Sequence, residues 1–189
     1  MAAKKIKMAA KKRTPLPIPV TLAAYDSDWP RRAAVYAERL KILGPALVEV
    51  HHIGSTSVPG LAAKPIIDLM PLVTSLAALD AAQPQIEALG YLWYGEFGIP
   101  RRRYCSLTDA QGTRLAQLHF FAEGDPQSER HLAFRDYLRA HPAIARAYET
   151  EKQRARDRHP DDSHAYTDEK AAWIQATEAE ALLWYCHQR

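Results

Sequence analysis

Two short segments of the chain carry side chains suited to phosphate chemistry. The segment Gly54-Ser55-Thr56-Ser57 follows an apolar run and offers closely spaced backbone N–H groups together with three hydroxyls, an arrangement that binds phosphate oxygens. A Pro/Gly break then leads to a second apolar run in which Asp68 lies amid Ile, Leu and Met. A carboxylate in such surroundings is costly unless it is paired, hydrogen-bonded or bound to a metal. The two segments together predict a site that holds a phosphate beside a divalent cation.

A further strand could contribute to this site. Alternation along residues 114–121 places Gln117 and His119 on one face of the strand. His119 could ligate a metal, act as a general base or donate a hydrogen bond to a phosphate. Simpler interpretations stay open, because a strand histidine is commonly a core or surface residue. Asp68 could likewise be a structural acid that pairs with Lys64 or caps the turn.

The elements that must position these residues predict an α+β fold. A helix is expected from Asp28, its N-cap, to a stop at Gly44-Pro45, and Thr167 is expected to cap the last helix. The order of elements predicts a mixed sheet with helices packed on it and a helical C-terminal segment. The expected strands cover residues 46–53, 65–73, 91–94, 101–107 and 114–121, and the later helices cover 75–89, 128–140, 143–158 and 167–187.

Length and charge divide the chain into a tail and a body. Six of the 25 lysines and arginines, and none of the 22 acids, lie in residues 1–20, which leaves 19 bases against 22 acids elsewhere. Residues 1–20 are therefore expected to form a disordered basic tail, and residues 21–189 a single domain. The tail could touch nucleic acid or a membrane surface, or it could simply be solvated.

Hydropathy argues against a membrane protein. No apolar run approaches the roughly 20 residues that a membrane span needs, and no signal-peptide core follows the basic N-terminus. A cytoplasmic location with no membrane partner is the expectation.

The residues around the turn also resemble a known family. The run HIGSTSVPGLAAKPIIDL, residues 52–69, resembles the signature of the GrpB family, small bacterial proteins placed in the polymerase β-type nucleotidyltransferase superfamily. Further segments resemble the same family in the same order, and the resemblance extends from about residue 21 to 185. It implies a nucleotidyltransferase-like α+β fold. The further segments are Tyr25–Pro30, Gly98–Tyr104, Leu118–Phe120, Phe134–Arg139 and Tyr166–Lys170.

The resemblance implies roles for individual residues. In the superfamily the Gly-Ser turn grips a triphosphate, while two acids spaced i, i+2 on the next strand and a third on a neighbouring strand hold two metals. This chain has Asp68, but Met70 at the i+2 position, and His119 where the third acid would fall. At most one divalent cation (Mg²⁺, Mn²⁺ or Zn²⁺) is therefore expected. The implied catalytic and metal residues are Asp68 and His119, and the implied phosphate-binding residues are Gly54, Ser55, Thr56, Ser57, Lys64 and Arg103.

Three functions compete at this point. The first is a nucleotidyltransferase-like enzyme acting on a nucleotide or another phosphate-bearing small molecule. The second is a non-catalytic nucleotide- or anion-binding module, which Met70 favours. The third is a nucleic-acid interaction protein, which rests on the tail and on Arg101–Arg103. The third is disfavoured because the body is acidic and has little aromatic interleaving, and Arg101–Arg103 could equally be a solvated strand edge.

Overall fold

The structure, a computed structural model, describes residues 15–188. At its centre is a five-stranded sheet with the strand order β1-β2-β5-β4-β3. β2 and β5 are parallel, and the other neighbouring pairs are antiparallel, so the sheet is mixed. The strands are β1 (Leu47–Ile53), β2 (Ile67–Val73), β3 (Tyr91–Trp93), β4 (Arg103–Thr108) and β5 (Arg114–Ala122).

Helices cover both faces of this sheet, and the predicted α+β fold with a helical C-terminal segment is confirmed. A 3₁₀ segment (Leu40–Ala46) leads into β1, and a one-turn 3₁₀ helix (Ser55–Ser57) follows it. The α-helices are α1 (Trp29–Arg39), α2 (Leu76–Ala81), α3 (Gln83–Ala88), α4 (Pro126–Ala140), α5 (Pro142–Arg158), α6 (Ser163–Glu169) and α7 (Ala171–Cys186).

The main hydrophobic core lies between the sheet and helices α1–α3. Alternate residues of β2 and β5, such as Leu69 and Leu118, are buried there against Trp29 and Ala33 of α1. Burial of each large aliphatic or aromatic side chain contributes about 1.5–3 kcal/mol. Because a slip of one residue would expose this whole set, the core fixes the strand register.

The register of the core decides what the opposite face presents. Asp68 and Met70 alternate with the core residues of β2, and Gln117 and His119 alternate with those of β5. Asp68 lies directly beside Gln117 in the parallel pairing. Further along this face Met70 packs in a buried apolar cluster that includes Phe121 and contacts α4. The polar residues of the site therefore begin where this apolar cluster ends.

Two predicted helices differ from the structure. The helix expected over residues 75–89 is two short helices divided at Ala82, because Pro84 in the first turn of α3 has no N–H to continue the preceding helix. Thr167 does not cap the last helix; it lies inside α6 and its hydroxyl donates to the Ser163 carbonyl. Asp162 caps α6 instead, accepting from two backbone N–H groups.

Part of the predicted tail packs against the body. Residues 1–14 lie outside the described residues. The N–H of Ile18 donates to Ser163 Oγ, and the N–H of Val20 donates to the carbonyl of Pro160, at 3.1 and 2.7 Å. Val20 is also buried, so residues 15–20 run along the body in extended form. Within the described part of the chain, no helix has the length and apolarity needed to cross a membrane.

Candidate functional site

The turn after β1 is held in shape by the Ser57 hydroxyl and by two arginines of α4. Ser57 Oγ donates to the carbonyl of Gly54 at 2.6 Å, and the Ser57 N–H donates to the same oxygen at 3.1 Å. Arg139 donates through Nε and Nη2 to the carbonyl of Ser57, at 3.0 and 2.8 Å. Arg135 donates to the carbonyl of His52 at 3.2 Å. Two arginines of α4 therefore fix the backbone on both sides of Gly54.

Gly54 is required for two separate reasons. Its backbone has φ +71° and ψ −175°, a region essentially reserved for glycine. A Cβ atom at this position would also lie 2.7 Å from Oδ2 of Asp68. The turn therefore approaches the Asp68 carboxylate as closely as a backbone without a side chain allows.

Asp68 is held by a chain of hydrogen bonds that starts at a buried arginine. Nη1 of Arg102 lies 3.3 Å from Nδ1 of His119, and Nε2 of His119 lies 3.3 Å from Oδ1 of Asp68. A guanidinium can only donate, so Nδ1 of His119 accepts and Nε2 donates to the carboxylate. His119 thus orients Asp68 as a hydrogen-bond donor.

A cavity of about 160 Å³ opens beside Asp68, between the turn, the sheet and helices α5–α7. Its walls combine the small residues of the turn with three lysines, two tyrosines and a single carboxylate. The polar residues that line it are Gly54, Ser55, Thr56, Lys64, Asp68, Gln117, Tyr148, Lys152, Tyr166 and Lys170.

The three lysines give this cavity an excess of positive charge. Lys152 is 1% exposed and Lys170 is 8% exposed. The Lys152 ammonium donates to the Ala62 carbonyl, and that of Lys170 lies 4.1 Å from the centre of the Tyr166 ring. Burial lowers the pKa of Lys152 and of Lys170 to about 7, and it also lowers the pKa of Lys64. An anion in the cavity would favour the charged form of all three lysines.

Tyr148 links the turn to α5. It is buried, and its ring stacks on Trp173 at a centroid distance of 5.0 Å. Burial raises the pKa of Tyr148 to about 12, and the nearby Ser55 side chain opposes that rise. The tyrosine is therefore neutral at physiological pH and lies beside Ser55 of the turn.

The side chains around Asp68 do not fit a two-metal centre. Met70, at the position of the second acid, is fully buried in the apolar cluster with Ile53, Leu72 and Phe121. No group of three or more His, Cys, Asp or Glu side chains within residues 15–188 is arranged to hold a metal ion. Both ring nitrogens of His119 already have hydrogen-bond partners, and the lysines would repel a cation in the cavity.

The structure brings together most of the residues predicted for the site. Gly54, Ser55, Thr56, Lys64 and Asp68 line the cavity. The other three sequence candidates differ in their placement: His119 touches Asp68 from an adjoining cavity, Ser57 shapes the turn, and Arg103 lies elsewhere.

Arg103 does not reach the cavity. It pairs in register with Phe120, whose side chain lies in the main core, so strand alternation directs Arg103 to that opposite face. There its guanidinium donates to both carboxylate oxygens of Asp80, at 2.7 and 2.8 Å. The arginine that faces the site is its neighbour, Arg102.

Sequence reasoning missed the contribution of the C-terminal helices. Tyr148, Lys152 and Ala155 are buried on α5 at spacings of four and three residues, which is the period of a packed helix face. Lys152 shares this apolar stripe, and its position there is the sequence signal that indicates a buried lysine. Lys170 lies between α6 and α7, where no periodicity distinguishes a buried lysine from a solvated one.

Comparisons with known proteins find related sequences over most of this chain. The profile of a family described as GrpB protein matches residues 19–180. The UPF0157 protein YqkA of Bacillus subtilis (strain 168) is 42% identical over 166 residues, which are 87% of this chain and 48% of YqkA. The chain thus spans about half the length of that relative.

Solved structures extend the comparison to the fold. The crystal structure of the conserved protein GrpB from Enterococcus faecalis superposes with a TM-score of 0.81 and 41% identity, over 87% of this chain and 99% of that one. A mutant of the Cid1 poly(U) polymerase bound to MgATP aligns over 69% of this chain and 45% of its own, with 15% identity. The TM-score of this alignment is 0.47.

Proposed function

This chain belongs to the GrpB family, and on that basis we propose that it is a nucleotidyltransferase-like enzyme acting on a nucleotide or another phosphate-bearing small molecule. The observation that carries the proposal is the convergence of Lys64, Lys152 and Lys170 on a cavity that holds one carboxylate and the Gly54–Ser57 turn. Buried ammonium groups without matching carboxylates are costly. A bound phosphate would provide the missing negative charge.

Each wall of the cavity has a separate task in this proposal. The turn binds phosphate oxygens through its backbone N–H groups and the Ser55 and Thr56 hydroxyls. The lysines neutralise the negative charge on the transferred phosphate and on the leaving group. Because the lysines are already desolvated and their positions are fixed by packing, they need little reorganisation when the phosphate binds.

Asp68 is the proposed proton acceptor. In a transfer, an acceptor hydroxyl oxygen attacks phosphorus while the bond from phosphorus to the leaving oxygen breaks and its electron pair departs with the leaving group. The hydroxyl proton passes to the Asp68 carboxylate, which His119 holds through Nε2–H. Since His119 is a donor in this arrangement, its role is to position Asp68.

The sequence led us to expect a single divalent cation at Asp68 and His119, and the proposal departs from that expectation. The fixed oxygen ligands near Asp68 are few, and three ammonium groups surround them. We therefore expect no high-affinity cation site in the free protein. The proposed steps do not depend on a cation.

A non-catalytic anion-binding module is the second candidate. The buried position of Met70 favours it, because the strand offers no second acid for transfer chemistry of the two-metal kind. Both candidates require phosphate binding in the same cavity and differ only in whether Asp68 takes up a proton. Nucleic acid and membranes are not expected partners, and a cytoplasmic location stays the prediction.

Binding in this cavity can be tested with ADP and pyrophosphate as probes. Thermal-shift and calorimetric titrations of the full chain should show saturable binding, and Lys170→Gln should weaken it about tenfold, the scale of one charge-assisted hydrogen bond. Lys41→Gln is the matched control, because the Lys41 side chain is 70% exposed and pairs with Glu38.

The two variants separate specific binding from general electrostatics. Equal weakening by Lys170→Gln and Lys41→Gln would mean that net charge alone attracts the probes. If neither probe binds to the unmodified chain in low salt, the proposed function is wrong. Turnover of a nucleotide that is lost in Asp68→Asn, with binding retained, would distinguish the enzyme from the binding module.

A further inference from the structure

A second, larger cavity adjoins the first. It has a volume of about 490 Å³ and shares Lys64 and Gln117 with the first cavity, so the two meet at these side chains. Three cationic side chains line it, Lys64, Arg102 and Arg114, against one carboxylate, that of Asp168. His119 also lines it and touches Asp68 of the first cavity.

Arg102 is a buried cation whose partners carry no negative charge. It is 6% exposed, and its hydrogen bonds go to the carbonyl oxygens of Glu96 and Phe97 and to Nδ1 of His119. Its guanidinium lies over the rings of Tyr104 and Phe97, at 5.1 and 5.9 Å from their centres. Burial lowers the pKa of Arg102 to about 10, which reflects the cost of a charge without a counter-ion.

Arg114 adds an independent observation on the same wall. It is the first residue of β5, and its Nε atom is buried without a hydrogen-bond partner among the described residues. Buried donors are nearly always satisfied in folded proteins. An unpaired guanidinium nitrogen beside a cavity of this size is explained if a ligand supplies the acceptor.

We propose that the second cavity binds the anionic group, a carboxylate or a phosphate, of a second substrate through Arg102 and Arg114. The inference rests on the proposed function in assigning that molecule as the acceptor of the transfer. Guanidinium groups suit both anions because their planar donors match paired oxygens. A molecule anchored there would lie beside the contact between His119 and Asp68, where the acceptor hydroxyl has to lose its proton.

The side-chain Nε–H signals of the arginines provide a direct test. Full-length protein labelled with ¹⁵N is titrated separately with acetate and with inorganic phosphate, at an ionic strength held constant with sodium chloride. The Arg114 Nε–H signal, assigned by its loss in Arg114→Gln, should shift saturably with at least one of the two anions. The anion that produces the shift identifies the chemical class of the second substrate.

Variants make the result specific to this cavity. Affinity measured on the Arg102 Nε–H signal should fall about tenfold in Arg114→Gln. It should not change in Arg32→Gln, which removes a half-buried arginine of α1 on the other side of the sheet. An unchanged affinity in Arg114→Gln, or no shift beyond that of chloride with either anion, would overturn the inference.

The first cavity is monitored in parallel, so that the two proposals can fail separately. Arg114→Gln should leave the calorimetric affinity for ADP unchanged. Lys170→Gln should weaken ADP binding, and it should not change the titration of the Arg114 signal with acetate or phosphate. Absence of ADP binding together with saturable anion binding at Arg114 would refute the proposed function and support the anion site. The reverse pattern would refute the anion site alone.

Discussion

Replacement of Gly54 by alanine tests the close approach of the turn to the carboxylate. The added Cβ would lie 2.7 Å from Oδ2 and 3.1 Å from Cβ of Asp68. The Asp68 side chain would have to swing away, and its contact with His119 at 3.3 Å would be lost. We therefore expect Gly54→Ala to impair stability and ligand binding together.

The magnitude has a conformational and a steric part. A non-glycine residue in the φ, ψ region of Gly54 costs about 1–3 kcal/mol, and forcing extra volume into a packed site costs about 1–3 kcal/mol. Gly60 supplies a matched control, because it has φ +78° and a Cβ added there would meet no atom within 4 Å beyond its chain neighbours. Gly60→Ala should thus cost about 1–2 kcal/mol, the scale of a left-handed backbone alone.

The assay is urea denaturation of both variants, with ADP binding measured by calorimetry. The free energy of unfolding should fall by about 2–6 kcal/mol in Gly54→Ala, and ADP binding should be lost, while Gly60→Ala should bind ADP normally. In Gly54→Ala/Asp68→Ala the steric part should shrink, because the nearest carboxylate atoms are gone. Equal stability losses in the two glycine variants, with ADP binding kept in both, would refute the reasoning.

Three further predictions concern the charged groups. Lys170→Met should raise the free energy of unfolding by about 1–2 kcal/mol in thermal or urea melts, because it replaces an uncompensated buried charge. The same variant should bind ADP more weakly. Burial lowers the pKa of Lys152 and Lys170 to about 7, so between about pH 7 and 10 the unfolded chain binds more protons than the folded chain. The two lysines should therefore make the free energy of unfolding rise with pH across that window, which pH-dependent melts can check. ADP affinity should fall across the same window, because the lysines lose their charge, and calorimetry can check this. Arg103→Gln should leave the calorimetric ADP affinity unchanged, because Arg103 pairs with Asp80 on the other face of the sheet.

The sheet and the turn could be predicted from the sequence because each depends on the pattern of residues within a short segment. Alternation placed Gln117 and His119 on one face of β5, the resemblance implied that His119 shares a site with Asp68, and the structure gives Asp68 and His119 a contact at 3.3 Å. Helix caps were less reliable. Thr167 satisfies the local pattern of a cap, yet Asp162 takes that role because it lies where the chain enters α6.

Apart from Lys64, which the resemblance implied, the cationic half of the site could not be deduced from the sequence because it depends on tertiary packing. Lys152 and Lys170 are 84 and 102 residues away from Asp68 along the chain, and only the docking of α5–α7 against the turn brings them to the cavity. The choice between Arg102 and Arg103 depends on the register of one strand end. The pairing of Arg103 with Phe120 directs Arg103 to the core face of the sheet, and its neighbour Arg102 contacts His119 on the site face.

The buried methionine and the buried lysines have one physical explanation. A second carboxylate at position 70 would lie in the apolar cluster of Ile53, Leu72 and Phe121, where its charge would be costly without a metal. Lys152 and Lys170 bring positive charge to the cavity from the helical side instead, and Lys64 adds to it from the segment before β2. Positive charge fixed in this way is available to a phosphate at any metal concentration, but it depends on α5–α7 remaining docked. Ligand binding should therefore stabilise those helices more than it stabilises the core between the sheet and α1–α3, because the lysine contacts exist only while α5–α7 are in place.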